Sequence, residues 1–210
     1  MKEIIVKPTI AQAKRLVVKV GSALLVDEEK GNLHHAWLES FIEDIVQCRQ
    51  RQQQIIIVSS GSIPLGRRHL QFKHRVLQLE EKQAAAAVGQ IKLAHAYQEM
   101  LAKHGITVAQ NLLTIDDSEN RKRYLNAKNT LETLLKLGVV PVINENDSVA
   151  TTEIRYGDND RLAARVAQMI SADTLVLLSD IDGLYTADPR QNPSATLIHE
   201  VNELNSDILK

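Results

Sequence analysis

The sequence lacks the cysteine pairs of a disulfide-bonded protein, the long apolar runs of a membrane-spanning protein and the excess of basic residues of a nucleic-acid-binding protein. Its 210 residues include one cysteine, Cys48, which cannot form a disulfide within the chain. Cys48 falls in an amphipathic pattern as a small core or interface residue, and a reducing cytoplasm suits it. The 25 Lys+Arg balance 26 Asp+Glu to a net charge of -1, which argues against binding along a nucleic-acid backbone. No window approaches the roughly 20 apolar residues of a membrane span, so we expect neither export nor membrane insertion.

Metal-site and P-loop patterns are also missing. None of the seven histidines has metal-ligand spacing with a second histidine or an acid, so we assign no metal. The stretch from Ser60 to Gly66 resembles a P-loop, but Arg67 and Arg68 stand where Lys and Ser/Thr are required. It remains a glycine-rich turn that enters a helix, whose free N–H groups suit a carboxylate or phosphate. A tight turn that needs flexible residues is the alternative explanation.

What the sequence does contain is an alternation of short β-branched runs with long helical stretches, without internal repeats. The strands are predicted over 16–20, 55–58, 106–113, 139–143 and 174–178, and the helices over 33–53, 81–104, 119–137 and 161–170. Strand runs that are apolar on both faces and separated by helices predict a mostly parallel sheet covered on two sides. A chain of this length is expected to form one domain.

Polar residues follow four of these strands, at the edge of the sheet where ligands gather in such folds. They are Lys19 to Ser22, Ser59 to Ser62, Asn144 to Asp147 and Ser179 to Gly183. Lys19 lies in an apolar strand before a glycine and a serine, which favours a phosphate ligand, although a snorkelling or salt-bridged lysine is the alternative. Asp158, Asn159 and Asp160 precede a helix, where they would ordinarily be read as caps.

Taken together, the motifs at these positions resemble the amino-acid kinase family, and within it the kinases that act on glutamate. The resemblance rests on KVGSALL, VSSGSI, AAAAVGQ, VPVINENDSVATTEI, GDND and GLYTADPR, and it runs in register from about residue 15 to about residue 203. It implies a three-layer α/β/α sandwich with a mostly parallel central sheet. It also implies transfer of the ATP γ-phosphoryl group to the γ-carboxylate of L-glutamate, which gives L-glutamyl 5-phosphate for proline biosynthesis.

The resemblance also assigns ligands and residues. It implies that Mg²⁺ is held mainly by the ATP phosphates, that L-proline acts as a feedback inhibitor, and that the protein forms a homo-oligomer. It places glutamate on the substrate-binding residues Ser60, Gly61, Asn144, Asp147 and Asn159, with Asp147 pairing with the α-ammonium group. It gives Lys19 and Asp160 the catalytic roles, and it assigns the nucleotide to Lys19, Gly21, Ser22, Ser179, Asp180, Tyr185 and Asp188.

The sequence departs from the family after the ADPR stretch. Family members continue with a glycine-rich segment that ends in a second catalytic lysine, and many bacterial ones add an RNA-binding-like PUA domain. The chain ends at Lys210 without either, so we expect residues 1–210 to be an amino-acid kinase domain that is incomplete at its C-terminus. Two alternatives stay open: an amino-acid kinase with a different acid substrate, and a non-catalytic relative that binds glutamate or proline.

Overall fold

The structure, a computed structural model, describes residues 9–27, 30–72, 76–149 and 159–202. These residues form two compact units, one ending at Leu178 and one starting at Ser179. The first unit contains, in chain order, β1 (Arg15–Val20), α1 (Ser22–Leu25), β2 (Val26–Asp27), β3 (Asn32–Leu33), α2 (His35–Gln50), β4 (Gln54–Ser59), α3 (Ser62–His69), α4 (Leu79–Ala102), β5 (Val108–Leu113), α5 (Ile115–Glu119), α6 (Arg121–Lys136), β6 (Val140–Glu145), α7 (Asn159–Met169) and β7 (Thr174–Leu178).

Five of these strands form a parallel sheet in the order β5-β6-β4-β1-β7. Val20 at the end of β1 pairs with Ser59 in β4 and with Leu178 in β7, and Leu113 in β5 pairs with Glu145 in β6. The carboxyl ends of all five strands therefore lie at one edge of the sheet. This confirms the predicted mostly parallel sheet. The two short strands β2 and β3 pair with each other in antiparallel fashion.

The helices cover the sheet on two faces, as predicted. In β1, Leu16, Val18 and Val20 pack in one apolar cluster with side chains of α2 and α4. Val17 packs in a second cluster with side chains of α6 and α7. Because side chains alternate along a strand, Lys19 lies on the same face as Val17 and points toward the α6 and α7 side.

Several boundaries differ from the prediction. β6 continues to Glu145, two residues beyond the predicted end, because Asn144 and Glu145 keep pairing with β5. α7 begins at Asn159, so two of the residues expected as caps, Asn159 and Asp160, lie in its first turn, and Asp158 lies outside the described residues. Leu33 belongs to β3 and not to a helix. The helices α1 and α5 and the β2–β3 pair were not predicted, because elements of two to five residues are too short to show a hydrophobic period.

The edge strands are less buried than expected. β1, β4 and β6 are buried along almost their whole length, in line with the prediction of strands that are apolar on both faces. Among the strands that the structure describes, β5 and β7 lie at the two edges of the sheet. β5 is buried only at Leu113, and β7 is half-buried except at Leu177, which is 50% exposed. The apolar run over 174–178 correctly predicted a strand, but it did not predict that β7 would lie at the edge of the described sheet.

The second unit is a loop with few pairings among its described residues. Tyr185 forms an antiparallel bridge with Leu197, and Ile198 N donates to Leu184 O at 2.7 Å. Asp188 Oδ1 accepts from the Arg190 backbone N–H at 2.9 Å, which closes a turn.

Two glycines allow α3 and α4 to approach each other closely. A Cβ atom added at Gly66 in α3 would lie 1.7 Å from Ala85 O, and one added at Gly89 in α4 would lie 1.7 Å from Ser62 O. Both neighbours are backbone atoms, which cannot rotate away as a side chain can. The crossing therefore needs glycine at both positions, and it fixes the start of α3 against α4.

This crossing predicts that Gly89→Ala destabilises the protein. Alanine favours a helix by up to about 1 kcal/mol over glycine, but separating the two helices is expected to cost about 1 to 3 kcal/mol or more. The clash should therefore win, and the urea midpoint should fall at an unchanged m value. Ala84→Ser, on the exposed side of the same helix, is the control and should leave the midpoint nearly unchanged. A Gly89→Ala protein with a higher midpoint than the parent would contradict this packing.

Candidate functional site

The carboxyl ends of β4 and β6 border a cavity of about 300 Å³, at the lower end of the range for small-molecule sites. The described residues that line it all belong to the first unit. Six residues with predicted roles line it, namely Ser22, Ser60, Gly61, Asn144, Asp147 and Asn159. The other lining residues are Ser62, Ile63, Pro64, Leu79, Lys82, Gln83 and Glu145.

A buried asparagine amide at the end of β6 organises the polar wall of this cavity. Asn144 is 2% exposed. Its Oδ1 accepts a hydrogen bond from the Glu145 backbone N–H at 2.8 Å and another from Asn159 Nδ2 at 3.0 Å. A backbone N–H can only donate, so these bonds fix which end of the Asn144 side chain is oxygen.

The side-chain amide of Asn159 connects Asn144 to Ser60, the serine that follows β4. Asn159 Nδ2 also lies 2.7 Å from Ser60 Oγ and 3.2 Å from Ser59 O, so its two hydrogens are shared among three acceptors. Since Ser60 Oγ accepts from Asn159, its own hydroxyl hydrogen remains available to donate to a ligand. Asn159 in turn is left with Oδ1 as the side-chain atom that can accept from a ligand. The wall therefore offers a donor at Ser60 and an acceptor at Asn159.

The loop after β6 adds negative charge to the cavity. Ser62 Oγ donates to Asp147 Oδ2 at 3.3 Å, and Asn144 Nδ2 approaches Ser62 Oγ at 3.4 Å. Asp147 and Glu145 both line the cavity, and Glu145 is largely buried. Two carboxylates at one wall favour a ligand with a cationic group.

The turn between β4 and α3 presents backbone donors on another side. Gly61 precedes α3 with φ of +101°, and a Cβ atom there would lie 2.9 Å from Val26 Cγ2. Both observations explain the requirement for glycine. The N-cap residue of α3 is Gly61, which has no side chain to cap the helix, so the first backbone N–H groups suit a carboxylate or phosphate at the cavity.

Lys19 and Asp160 form an ion pair beside this cavity without lining it. Lys19 Nζ lies 2.7 Å from Asp160 Oδ1, and the lysine is largely buried at the end of β1. Asp160 follows Asn159 in the first turn of α7, so the pair is next to the polar wall in the chain. Gly21 N donates to Leu178 O at 3.0 Å, which extends the sheet pairing. Of the predicted phosphate-binding residues Lys19, Gly21 and Ser22, Ser22 lines the cavity and the other two do not.

Sequence reasoning missed the contribution of α4. Lys82 and Gln83 near its N-terminus line the cavity, because the close crossing with α3 brings this helix start to the sheet edge. Farther along α4, Gln90 Oε1 accepts from Asn144 Nδ2 at 2.7 Å, and Tyr97 Oη lies 3.1 Å from Ser59 Oγ. Burial raises the pKa of the Tyr97 phenol, so this hydroxyl stays neutral. The only signal in the sequence was that α4 follows the glycine-rich turn.

The remaining predicted nucleotide residues belong to the second unit, where their carboxylates bond within their own loop. Asp180 accepts from Ser179 Oγ at 3.2 Å and pairs with Arg190, whose guanidinium holds the pKa of that carboxyl below its usual range. Tyr185 Oη lies 3.5 Å from Asp182 Oδ2, and Asp188 Oδ2 accepts from Gln191 Nε2 at 3.0 Å. Their assignment to the nucleotide stays a prediction.

Parts of the quoted motifs fall outside the described residues: positions 150–158, which include Gly157 and Asp158, and the terminal Lys210. Within the described ranges, no three His, Cys, Asp or Glu side chains come together as metal ligands would. Among the same residues, no helix has the length and apolar content needed to cross a membrane.

Comparison with known proteins gives close relatives along most of the chain. A protein named glutamate 5-kinase from Paramagnetospirillum magneticum is 67% identical over 199 residues, which cover 95% of this chain and 54% of the relative. Proteins of the same name from Rhodospirillum rubrum and Gluconobacter oxydans are 62% and 59% identical, over 91% and 96% of this chain. They are covered over 51% and 53% of their own lengths. The chain thus spans about half the length of the curated relatives it matches.

The family assignment rests on a match across nearly the whole sequence. The sequence model of the Amino acid kinase family matches residues 14–206, from the first sheet strand into the second unit. The parallel sheet and the polar residues at its carboxyl edge agree with the fold implied by the sequence motifs. The chain belongs to the amino acid kinase family.

Proposed function

We propose that this protein transfers the γ-phosphoryl group of ATP to the γ-carboxylate of L-glutamate, giving L-glutamyl 5-phosphate and ADP at the first step of proline biosynthesis. The observation that carries the proposal is the cavity, whose wall combines a hydroxyl donor and helix N–H groups with carboxylate and amide acceptors. An amino acid with a side-chain carboxylate needs both kinds of partner. The relatives named glutamate 5-kinase, at 59 to 67% identity, support the same substrate.

The donor arrangement suggests how glutamate lies in the cavity. The γ-carboxylate would accept from the Ser60 hydroxyl and from the N–H groups at the start of α3, next to the Lys19–Asp160 pair. The α-ammonium group would donate to Asp147 and to Asn159 Oδ1. In this orientation the reacting oxygen points toward the lysine, and the charged α-substituents lie near the loop after β6.

The reaction needs positioning and charge neutralisation more than a base. A γ-carboxylate oxygen forms a bond to the γ-phosphorus while the bond from that phosphorus to the β,γ-bridging oxygen breaks, and ADP leaves with the electron pair. The carboxylate has no proton to lose, so no general base is required. Lys19 would stabilise the negative charge on the transferring group, and Asp160 would hold the Lys19 ammonium in place at 2.7 Å.

The proposal extends to the other ligands implied by the resemblance. Mg²⁺ would be carried by the ATP phosphates, where it neutralises charge, and we assign it no protein ligand. Ser179, Asp180, Tyr185 and Asp188 would contact the nucleotide. A cytoplasmic location, a homo-oligomeric state and feedback inhibition by L-proline complete the proposal.

Trapping of the acyl phosphate with hydroxylamine tests the proposed reaction. The intact gene product, supplied with ATP and Mg²⁺, is expected to form a hydroxamate with L-glutamate and far less with N-acetylglutamate or L-aspartate. N-acetylglutamate lacks the ammonium partner of Asp147, and aspartate is one methylene too short to reach both walls. Turnover of one of these in preference to glutamate would indicate a kinase for a different acid. Glutamate binding without turnover would indicate a non-catalytic relative.

The same assay tests Lys19. Lys19→Met is expected to lower kcat by about 10²-fold or more, the scale for removing one donor of charge stabilisation in the transition state. Lys136→Met, at an exposed position in the last turn of α6, is the matched control and should retain the parent kcat. An unchanged kcat in Lys19→Met would remove this lysine from the mechanism.

A second variant tests the recognition of the α-ammonium group. Asp147→Asn is expected to weaken glutamate binding by about 10-fold or more, because a charge-assisted hydrogen bond is lost. It should hardly change the binding of L-2-hydroxyglutarate, which keeps both carboxylates but carries a neutral hydroxyl in place of the ammonium. Calorimetric titration of both ligands into both proteins gives the comparison. An equal loss for the two ligands would show that Asp147 acts on the shape of the cavity and not on the ammonium.

A further inference from the structure

Among the described residues that line the cavity, Lys82 has the one basic side chain. It lies in the first turn of α4 and is partly buried. Within the described part of the chain, its ammonium group makes no ion pair and no side-chain hydrogen bond. The other charged lining residues, Glu145 and Asp147, are both acidic. The side chains of these described lining residues therefore carry a formal charge of -1, to which glutamate would add two carboxylates and one ammonium.

The position of Lys82 along α4 places it near the loop that carries Asp147. Ala86 and Gln90 follow Lys82 at intervals of four residues, so the three lie on one face of the helix. Ala86 and Gln90 share a small cavity of about 20 Å³ with residues 145–148. Lys82 thus lies one helical turn before the point where α4 meets this loop. Lys82 and Asp147 both line the larger cavity.

An α-amino acid needs neighbouring partners of opposite charge, because its ammonium and carboxylate groups are attached to the same carbon. The γ-carboxylate would be satisfied by Ser60 and the start of α3, on the side of Lys19. Asp147 would take the ammonium group, and the α-carboxylate would otherwise lie against two acidic side chains. We propose that Lys82 binds the α-carboxylate of the substrate, an inference that rests on the proposed function. It would thereby make the site specific for free α-amino acids over their α-amides.

Titration with two ligands separates this role from a structural one. The ligands are L-glutamate and L-isoglutamine, which keeps the γ-carboxylate and the α-ammonium but has a neutral α-carboxamide. Binding is measured by calorimetry, with competition against glutamate where affinity is low. The proteins are the intact gene product and its variants Lys82→Met, Lys82→Arg and Lys92→Met. Lys92 is an exposed lysine of the same helix that does not line the cavity.

Lys82→Met is expected to weaken glutamate binding by about 10-fold or more, as for a lost charge-assisted hydrogen bond. It should change isoglutamine binding by less than about twofold, because that ligand has no charge for Lys82 to meet. Lys82→Arg should stay close to the parent, since it keeps the charge, and Lys92→Met should match the parent with both ligands.

Three results would overturn the role of Lys82: unchanged glutamate affinity in Lys82→Met, an equal loss for both ligands, or isoglutamine binding to the parent as tightly as glutamate. A parent protein that binds no glutamate at all would instead contradict the proposed function, so the two failures are distinguishable.

Discussion

The polar wall of the site depends on one buried hydrogen bond, from the Glu145 backbone N–H to Asn144 Oδ1. Because that donor is a backbone group, it fixes the direction of the Asn144 amide, and the bond from Asn159 then fixes the next amide. The Ser60 hydroxyl is the last group in this series of hydrogen bonds and can donate toward the cavity. Three separate segments, β6, α7 and the turn after β4, thereby acquire one consistent donor and acceptor pattern. A ligand with a carboxylate at one end and an ammonium at the other matches that pattern.

The second requirement is the close crossing of α3 and α4 at Gly66 and Gly89. It holds the N-terminus of α3, with its open N–H groups, against the body of α4. It also brings the first turn of α4, with Lys82, to the edge of the sheet. Packing between the two helices therefore helps to determine which charged groups line the cavity, although neither glycine is among its described lining residues. This links the stability of the crossing to the shape of the site.

The sheet could be predicted from the sequence because β1, β4 and β6 are apolar runs of β-branched residues, and parallel strands bring their polar ends to one edge. That rule grouped Ser60 with Asn144, which the structure places at one cavity. Lys82 could not be found in this way, because no periodic pattern shows that a helix start lies beside strand ends. The sequence also could not predict which atoms of the Asn144 and Asn159 amides donate and which accept. That depends on the backbone N–H of Glu145, which lies in a strand that continues beyond its predicted end.

The central claim is that glutamate lies in this cavity with its γ-carboxylate toward the Lys19–Asp160 pair and its α-substituents toward the loop after β6. A crystal structure of the intact gene product with bound L-glutamate tests it most directly. The account predicts a γ-carboxylate oxygen within hydrogen-bond distance of Ser60 Oγ and the α-ammonium against Asp147. Glutamate bound in the reverse orientation, or outside this cavity, would contradict the account.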